Sequence, residues 1–197
     1  MYAITFHHLL VGLSTGIATL ACASALGAWI STYFVGGSKA RGHLDKTAYI
    51  AGVVAIPLIF LSVLSGTSAM SSPGADAMSY NKFLFTGLTI GFLISMLLGR
   101  WRFGPTVWLD SRLGLLQTVC AAGALASITV LGSIGAKMSL GESTLDILPF
   151  WPSFDESIVV NQWFSFAMFA LGLGVMLAAF MLGPNTERLP ELPLLHI

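Results

Sequence analysis

The side chains best suited to chemistry are His7 and His8, because imidazole carries protons near neutral pH and, when neutral, ligates haem iron, copper or zinc. Successive helical residues point in different directions around the axis, so at most one of the pair is expected to face a site inside a bundle. Groups on the same side of the membrane that could complete a ligand set are Met70, Asp76, Met78, Met138, Asp146, Asp155 and Glu156. The competing role is a polar anchor at the headgroup level, hydrogen-bonded to water or to a neighbouring helix, and it is the role expected here. His43 stands beside Asp45 on the opposite side, too far from His8 to share a ligand, and His196 lies in a Pro-rich tail. Cys22 and Cys120 fall inside apolar runs, where a thiol behaves as a small hydrophobe. No nucleophile elbow, P-loop, dinucleotide fingerprint, HExxH or CxxC is present, so no catalytic residue and no metal site is assigned.

The elements that must position these groups are transmembrane helices. Of 197 residues 55% are hydrophobic and 9% are charged, whereas roughly a quarter of a soluble domain is charged. A spanning helix needs about 20 mostly apolar residues. Five segments qualify, at about 4–35, 47–66, 82–99, 112–136 and 158–182, and they read as one all-α polytopic transmembrane domain over 1–197. No Lys or Arg precedes the first apolar run, which is about twice the length of a secretion signal's core, so it reads as a retained helix.

Five spans place Lys39, Arg41, Lys46, Arg100, Arg102, Arg112 and Arg188 on one side, against Lys82 and Lys137 on the other. Cytoplasmic loops carry the excess of Lys and Arg. The expected topology therefore has the N-terminus outside and the C-terminus in the cytoplasm of a multi-pass cell-membrane protein. Trp29, Tyr33, Trp101, Trp108, Trp151 and Trp163 stand near the ends of these spans, where amphipathic rings favour the headgroup level. The lipid bilayer is thus one partner, and with zero net charge and no basic stripe nucleic acid is not another.

Small residues let helices approach in lipid, and Gly12/Gly16 and Gly87/Gly91 each form a GxxxG suited to such contact. Pro57 is expected to kink the second span. The loop 139–157 is long and carries Phe150, Trp151 and Phe154, which suit an assembly surface at the membrane interface. Past their first residues the spans hold no Asp, Glu, Lys or Arg, which disfavours ion-coupled transport. Gln117, the most polar residue deep in a span, is expected to make one interhelical hydrogen bond.

The order Phe6-His7-His8-Leu9-Leu10, Leu64-Ser65-Gly66, Leu97-Leu98-Gly99-Arg100 and Gly132-Ser133-Ile134-Gly135-Ala136-Lys137 resembles that of an uncharacterised family of small bacterial and archaeal four-helix membrane proteins, sometimes described as cytochrome b-like or haem-binding. The resemblance covers about residues 6–146 and implies a b-type haem near His7 or His8. The family's second histidine, at the start of the third helix, is replaced here by Ser79-Tyr80-Asn81-Lys82, and the fifth span lies outside the family pattern. The expectation is therefore a non-catalytic accessory subunit of a larger membrane complex in respiration or electron transfer, bound to other membrane subunits. No haem is expected in the isolated chain. The alternatives are a b-type haem electron-transfer protein using His7 or His8, and a pore for a small neutral solute.

Overall fold

The computed structural model describes residues 2–34, 37–69 and 77–147 of the chain. Helix α1 spans Tyr2–Ile30 and continues into a 3-10 turn, Ser31–Tyr33; α2 spans Gly37–Ala69 and α3 Ala77–Phe103. A second 3-10 turn, Pro105–Trp108, leads into α4, Ser111–Leu140, and a third, Thr144–Ile147, follows it. All four helices are long and apolar enough to cross a membrane, and no strand occurs among the described residues. The fifth apolar segment, 158–182, and Phe150, Trp151 and Phe154 lie outside the described residues.

The helices outrun the apolar segments that announce them. Helix α2 begins at Gly37, ten residues before the apolar run at Thr47, and so carries Lys39, Arg41, Asp45 and Lys46 on helical backbone. A 33-residue helix is roughly 50 Å long at 1.5 Å per residue, against about 30 Å of hydrocarbon. Its polar first turns can therefore stand at the headgroup level, where hydropathy gives no signal. Helix α3 likewise extends to Arg102 and Phe103, and α4 to Leu140.

Local chemistry sets the ends. Gly104, at φ 79° and ψ −174°, takes a positive-φ conformation open to glycine where α3 closes, and its N–H donates to the Arg100 carbonyl at 3.0 Å. Asp110 caps α4, its Oδ1 accepting from the Arg112 and Leu113 amides at 2.9 and 2.8 Å. Gly141, at φ 78°, ends α4 by donating to the Lys137 carbonyl. Pro57 lies inside α2, which runs unbroken through it with Pro57 on the exposed side.

Helix α1 packs chiefly along α2 and α3 along α4, with α1 against α4 closing the bundle and α2 against α3 touching least. The core explains the close approach. Ala18, Ala25 and Ala28 of α1 meet Ala48 and Ala55 of α2 and Ala121 and Ala124 of α4, with Leu93 and Met96 of α3 supplying bulk. Between the four long helices the tightest glycine contacts are Gly52 under Leu97, Gly123 under Phe92, Gly66 under His7 and Gly99 under Gln117. Gly12, Gly16, Gly87 and Gly91 face open space instead. The outward surface is Leu, Ile, Val and Phe, as a lipid-facing surface requires.

Candidate functional site

At one end of the bundle the first turns of α1 turn His7 toward α2. Its ring lies on Gly66, where any Cβ would stand 2.8 Å from His7 Cε1, so only glycine admits the imidazole there. His7 Nδ1 is 3.0 Å from Ser65 Oγ, and that hydroxyl donates to the Ser62 carbonyl at 3.0 Å. With the Ser65 proton directed at the Ser62 carbonyl, the Nδ1–H tautomer would donate to Ser65 Oγ and leave the lone pair on Nε2. His8 is exposed, its ring centroid 6.0 Å from that of His7. Both rings nonetheless border the same cavity, His7 from within and His8 at its mouth. Of the pair, His7 is the one turned into the bundle, and His8 borders the cavity while remaining exposed.

The cavity measures about 420 Å³, within the range of pockets that take a small ligand. All four helices line it. Its walls are largely apolar, with Val11, Ile59, Phe83, Ile128 and Leu131 prominent. The hydroxyls that reach it are engaged by their own helices. Ser62 donates to the Leu58 carbonyl at 2.9 Å, Thr86 to Lys82 at 2.7 Å and Thr89 to Phe85 at 2.8 Å. Ser14 donates to Val11 at 3.1 Å and meets Ser62 Oγ at 3.0 Å.

Lys82, from the second turn of α3, is the cation of this cavity. It lies close enough to His7 to act on it electrostatically, and a Cβ at Gly135 would stand 3.6 Å from its Nζ. The ion pairs among the described residues are Arg100 with Asp45 and Lys137 with Asp146, and neither includes Lys82. Met138 also borders the cavity, whereas Met70, Asp76, Asp155 and Glu156 lie outside the described residues. Among the described residues no three His, Cys, Asp or Glu side chains gather into a metal-holding group.

The opposite end of the bundle is built the other way. Asp45 is 2% exposed and accepts from Arg100 Nε and Nη2, each at 2.7 Å, in a bidentate pair. Trp108 Nε1 donates to the same carboxylate at 2.7 Å, and the Arg100 guanidinium lies 5.6 Å from the Tyr49 ring centre. One carboxylate thus ties α2 to α3 and to the turn before α4. Sequence reasoning missed this clasp. Arg100 served as a marker of topology and as the end of a helix motif, and Trp108, placed at the headgroups, is 4% exposed. The available signal was an acid just before an apolar run, amid the basic residues Lys39, Arg41 and Lys46. His43 is exposed and takes no part.

Gln117 is 2% exposed and packs on Gly99, with its Oε1 buried and without a hydrogen-bond partner among the described residues, so the expected interhelical bond is replaced by a close contact. Cys22 and Cys120 are free thiols buried in the core, as their apolar surroundings imply. No family model matches the chain, and neither a curated protein nor a solved structure matches it. The functional reading therefore rests on the contrast between the two ends.

Proposed function

We propose that the chain is an integral membrane subunit that holds a small, largely apolar ligand in the cavity at its His7 end. The observation that carries this reading is the cavity itself. A 420 Å³ space remains among four helices whose other half is close-packed on alanine, and its walls are largely apolar, with the charged and imidazole groups at one end and the deeper hydroxyls donating to their own helices. The accessory-subunit reading accompanies it, since Gly12, Gly16, Gly87 and Gly91 are left facing outward, where another membrane chain could pack. The parent complex would be respiratory or otherwise engaged in electron transfer. With the fifth span at 158–182, the charge asymmetry puts the His7 end outside and the C-terminus in the cytoplasm. A cysteine placed at Ser38 should be labelled only from the cytoplasm and one at Ser72 only from outside; labelling of both from one side would overturn this topology.

The b-haem alternative has one observation in its favour, the Nε2 lone pair of a His7 already oriented by Ser65. The remaining donors do not match the paired histidines that the family resemblance calls for, because Lys82 and Met138 are what the cavity offers from α3 and α4. We therefore expect no stoichiometric haem in the isolated chain, and a visible spectrum of the reduced protein checks it. A continuous pore is disfavoured by the packing of Leu93 and Met96 against the alanines of α1, α2 and α4.

The direct test is to purify the chain in mild detergent, extract it with organic solvent and identify retained small molecules by mass spectrometry. Ala136→Phe and Val11→Phe each place a ring in the cavity, from α4 and α1. Either variant should lose the retained molecule while keeping its helical content. Retention unchanged in both would exclude the cavity as the site.

A further inference from the structure

Resting on that reading of the cavity, we infer that its ligand is an amphiphile with one anionic head, bound at Lys82 beside His7, and one alkyl chain running down between the helices. Three observations converge. First, Lys82 is half-buried at an apolar cavity, and no carboxylate pairs with it among the described residues. A cation withdrawn from water is costly without a partner of opposite charge. The other end of the molecule shows what this fold does when it partners a cation internally, since Arg100 there meets a buried carboxylate through two hydrogen bonds.

Second, the deeper walls offer few uncommitted donors, although their hydroxyl oxygens can still accept. The Ser62, Thr86 and Thr89 hydroxyls all donate to their own helices, as does Ser14. A flat molecule with polar groups at both ends, such as a quinone, would find donors at the mouth and none opposite. A ligand with a single polar head matches the arrangement. The ammonium of Lys82 supplies charge, and a charged donor to a carboxylate or phosphate oxygen is among the stronger hydrogen bonds available.

Third, the cavity is long in the direction of the helices. It is bordered from His7 to Ala18 on α1 and from Leu140 to Ile128 on α4. At 1.5 Å per residue these stretches run roughly 16 to 18 Å, a depth suited to an extended chain lying on Ile59, Ile128 and Leu131. An anionic head with an alkyl tail could come from a free fatty acid or from an anionic bilayer lipid, and these share the chemistry that Lys82 reads.

The experiment uses the full chain in nanodiscs of phosphatidylcholine and compares the binding of tritiated dodecanoate and tritiated dodecanol, each corrected by empty nanodiscs. Dodecanoate should bind about ten- to a hundredfold tighter, the range a charged hydrogen bond supplies. Lys82→Gln should erase that preference while leaving dodecanol binding unchanged, and Lys82→Arg should keep it. Ala136→Phe and Val11→Phe should weaken both ligands. Adding phosphatidylglycerol to the nanodisc distinguishes the sources: competition assigns the head to a bilayer lipid, and its absence assigns it to a free single-chain acid. Equal binding of the two probes, unaffected by Lys82→Gln but lost in the ring-filled variants, would overturn the anionic inference and leave the cavity as a site for a neutral ligand. Binding of both probes that ignores the ring-filled variants would overturn the cavity reading itself.

Discussion

The two ends of the bundle use similar side chains to opposite effect. At the Asp45 end the buried charges are paired, since one carboxylate receives three donor atoms from Arg100 and Trp108, and the polar atoms left without a partner among the described residues, Thr106 Oγ1 and Gln117 Oε1, are neutral. Glycine there makes room for a neighbour that fills the space, with Gln117 on Gly99 and Leu97 on Gly52. At the His7 end the cation has no anion among the described residues, the hydroxyls turn back to their own helices, and a cavity remains. The difference teaches that the fold is held at one end and left receptive at the other. Charge compensation inside the chain marks structure, and its omission at Lys82 is what supports the proposed binding there.

The largest expected effect comes from breaking the held end. Arg100→Ala leaves Asp45, with a side chain 3% exposed, a buried carboxylate with Trp108 as its remaining donor. Removing one partner of a buried pair costs about 3–5 kcal/mol, and because Arg100 itself is 20% exposed the lower figure is expected, about 3 kcal/mol. Arg100→Lys keeps the charge but not the two-pronged fit and should lose less. Lys82→Gln at the receptive end removes no internal partner and takes away a half-buried charge unpaired among the described residues, so it should not destabilise the chain. Thermal unfolding in detergent, followed by circular dichroism, ranks the three. Equal losses at Arg100 and Lys82 would break the contrast.

A smaller effect, of opposite sign at the two ends, is expected from glycine to alanine. At Gly99 the new Cβ would stand within bonding distance of Gln117 Nε2, so a side chain 2% exposed must find another rotamer. Such overpacking costs about 1–3 kcal/mol, only partly offset by the roughly 1 kcal/mol that alanine gains in a helix. At Gly132, which borders the cavity, nothing lies within 4 Å of the added atom, and the helix gain should appear nearly alone. Gly99→Ala combined with Gln117→Ala should recover most of the loss at the first site. The same thermal measurement shows whether the signs differ.

Much of this architecture is legible in the sequence, and the part that is not has a physical cause. Four of the expected spans are helices here because about 20 apolar residues leave few alternatives. The helical stretch 37–46 escaped, since it carries Lys39, Arg41, Asp45 and Lys46 and hydropathy registers only what sits in hydrocarbon. The clasp escaped because Asp45 lies 55 residues from Arg100 and 63 from Trp108, and no local pattern links them. His7 could be singled out by type, but the cavity beside it depends on where four helices part, which single residues do not encode. Lys82 was counted as a charge on one side of the membrane and as part of the stretch that replaces a histidine, although a basic residue just inside an apolar run is itself a signal worth following.

The smallest expected effect lies just beyond α4 and sets an exposed ion pair against the buried one. Asp146 Oδ2 accepts from Lys137 Nζ at 3.0 Å and from the Ser143 amide at 2.9 Å, tying the turn Thr144–Ile147 back to the helix. The hydrogen bond from Lys137, and after it that from the Ser143 amide, holds the Asp146 carboxyl below its ordinary value. A carboxyl whose pKa is lower in the folded chain contributes stability above its unfolded pKa and loses it as pH falls through the folded value. The tether should therefore be complete at neutral pH and released in acid, below the usual carboxylate range. Its side chains are 31% and 39% exposed, so salt should screen it, whereas the Asp45 pair should be indifferent to salt. Amide hydrogen exchange at Ser143, corrected for the intrinsic dependence on pH, checks this. Protection should fall in acid or in high salt, and Asp146→Ala should show the unprotected rate at neutral pH without loosening the rest of α4. Protection at Ser143 equal in the wild type and in Asp146→Ala at neutral pH and low salt would show that the turn is held by something other than this carboxylate.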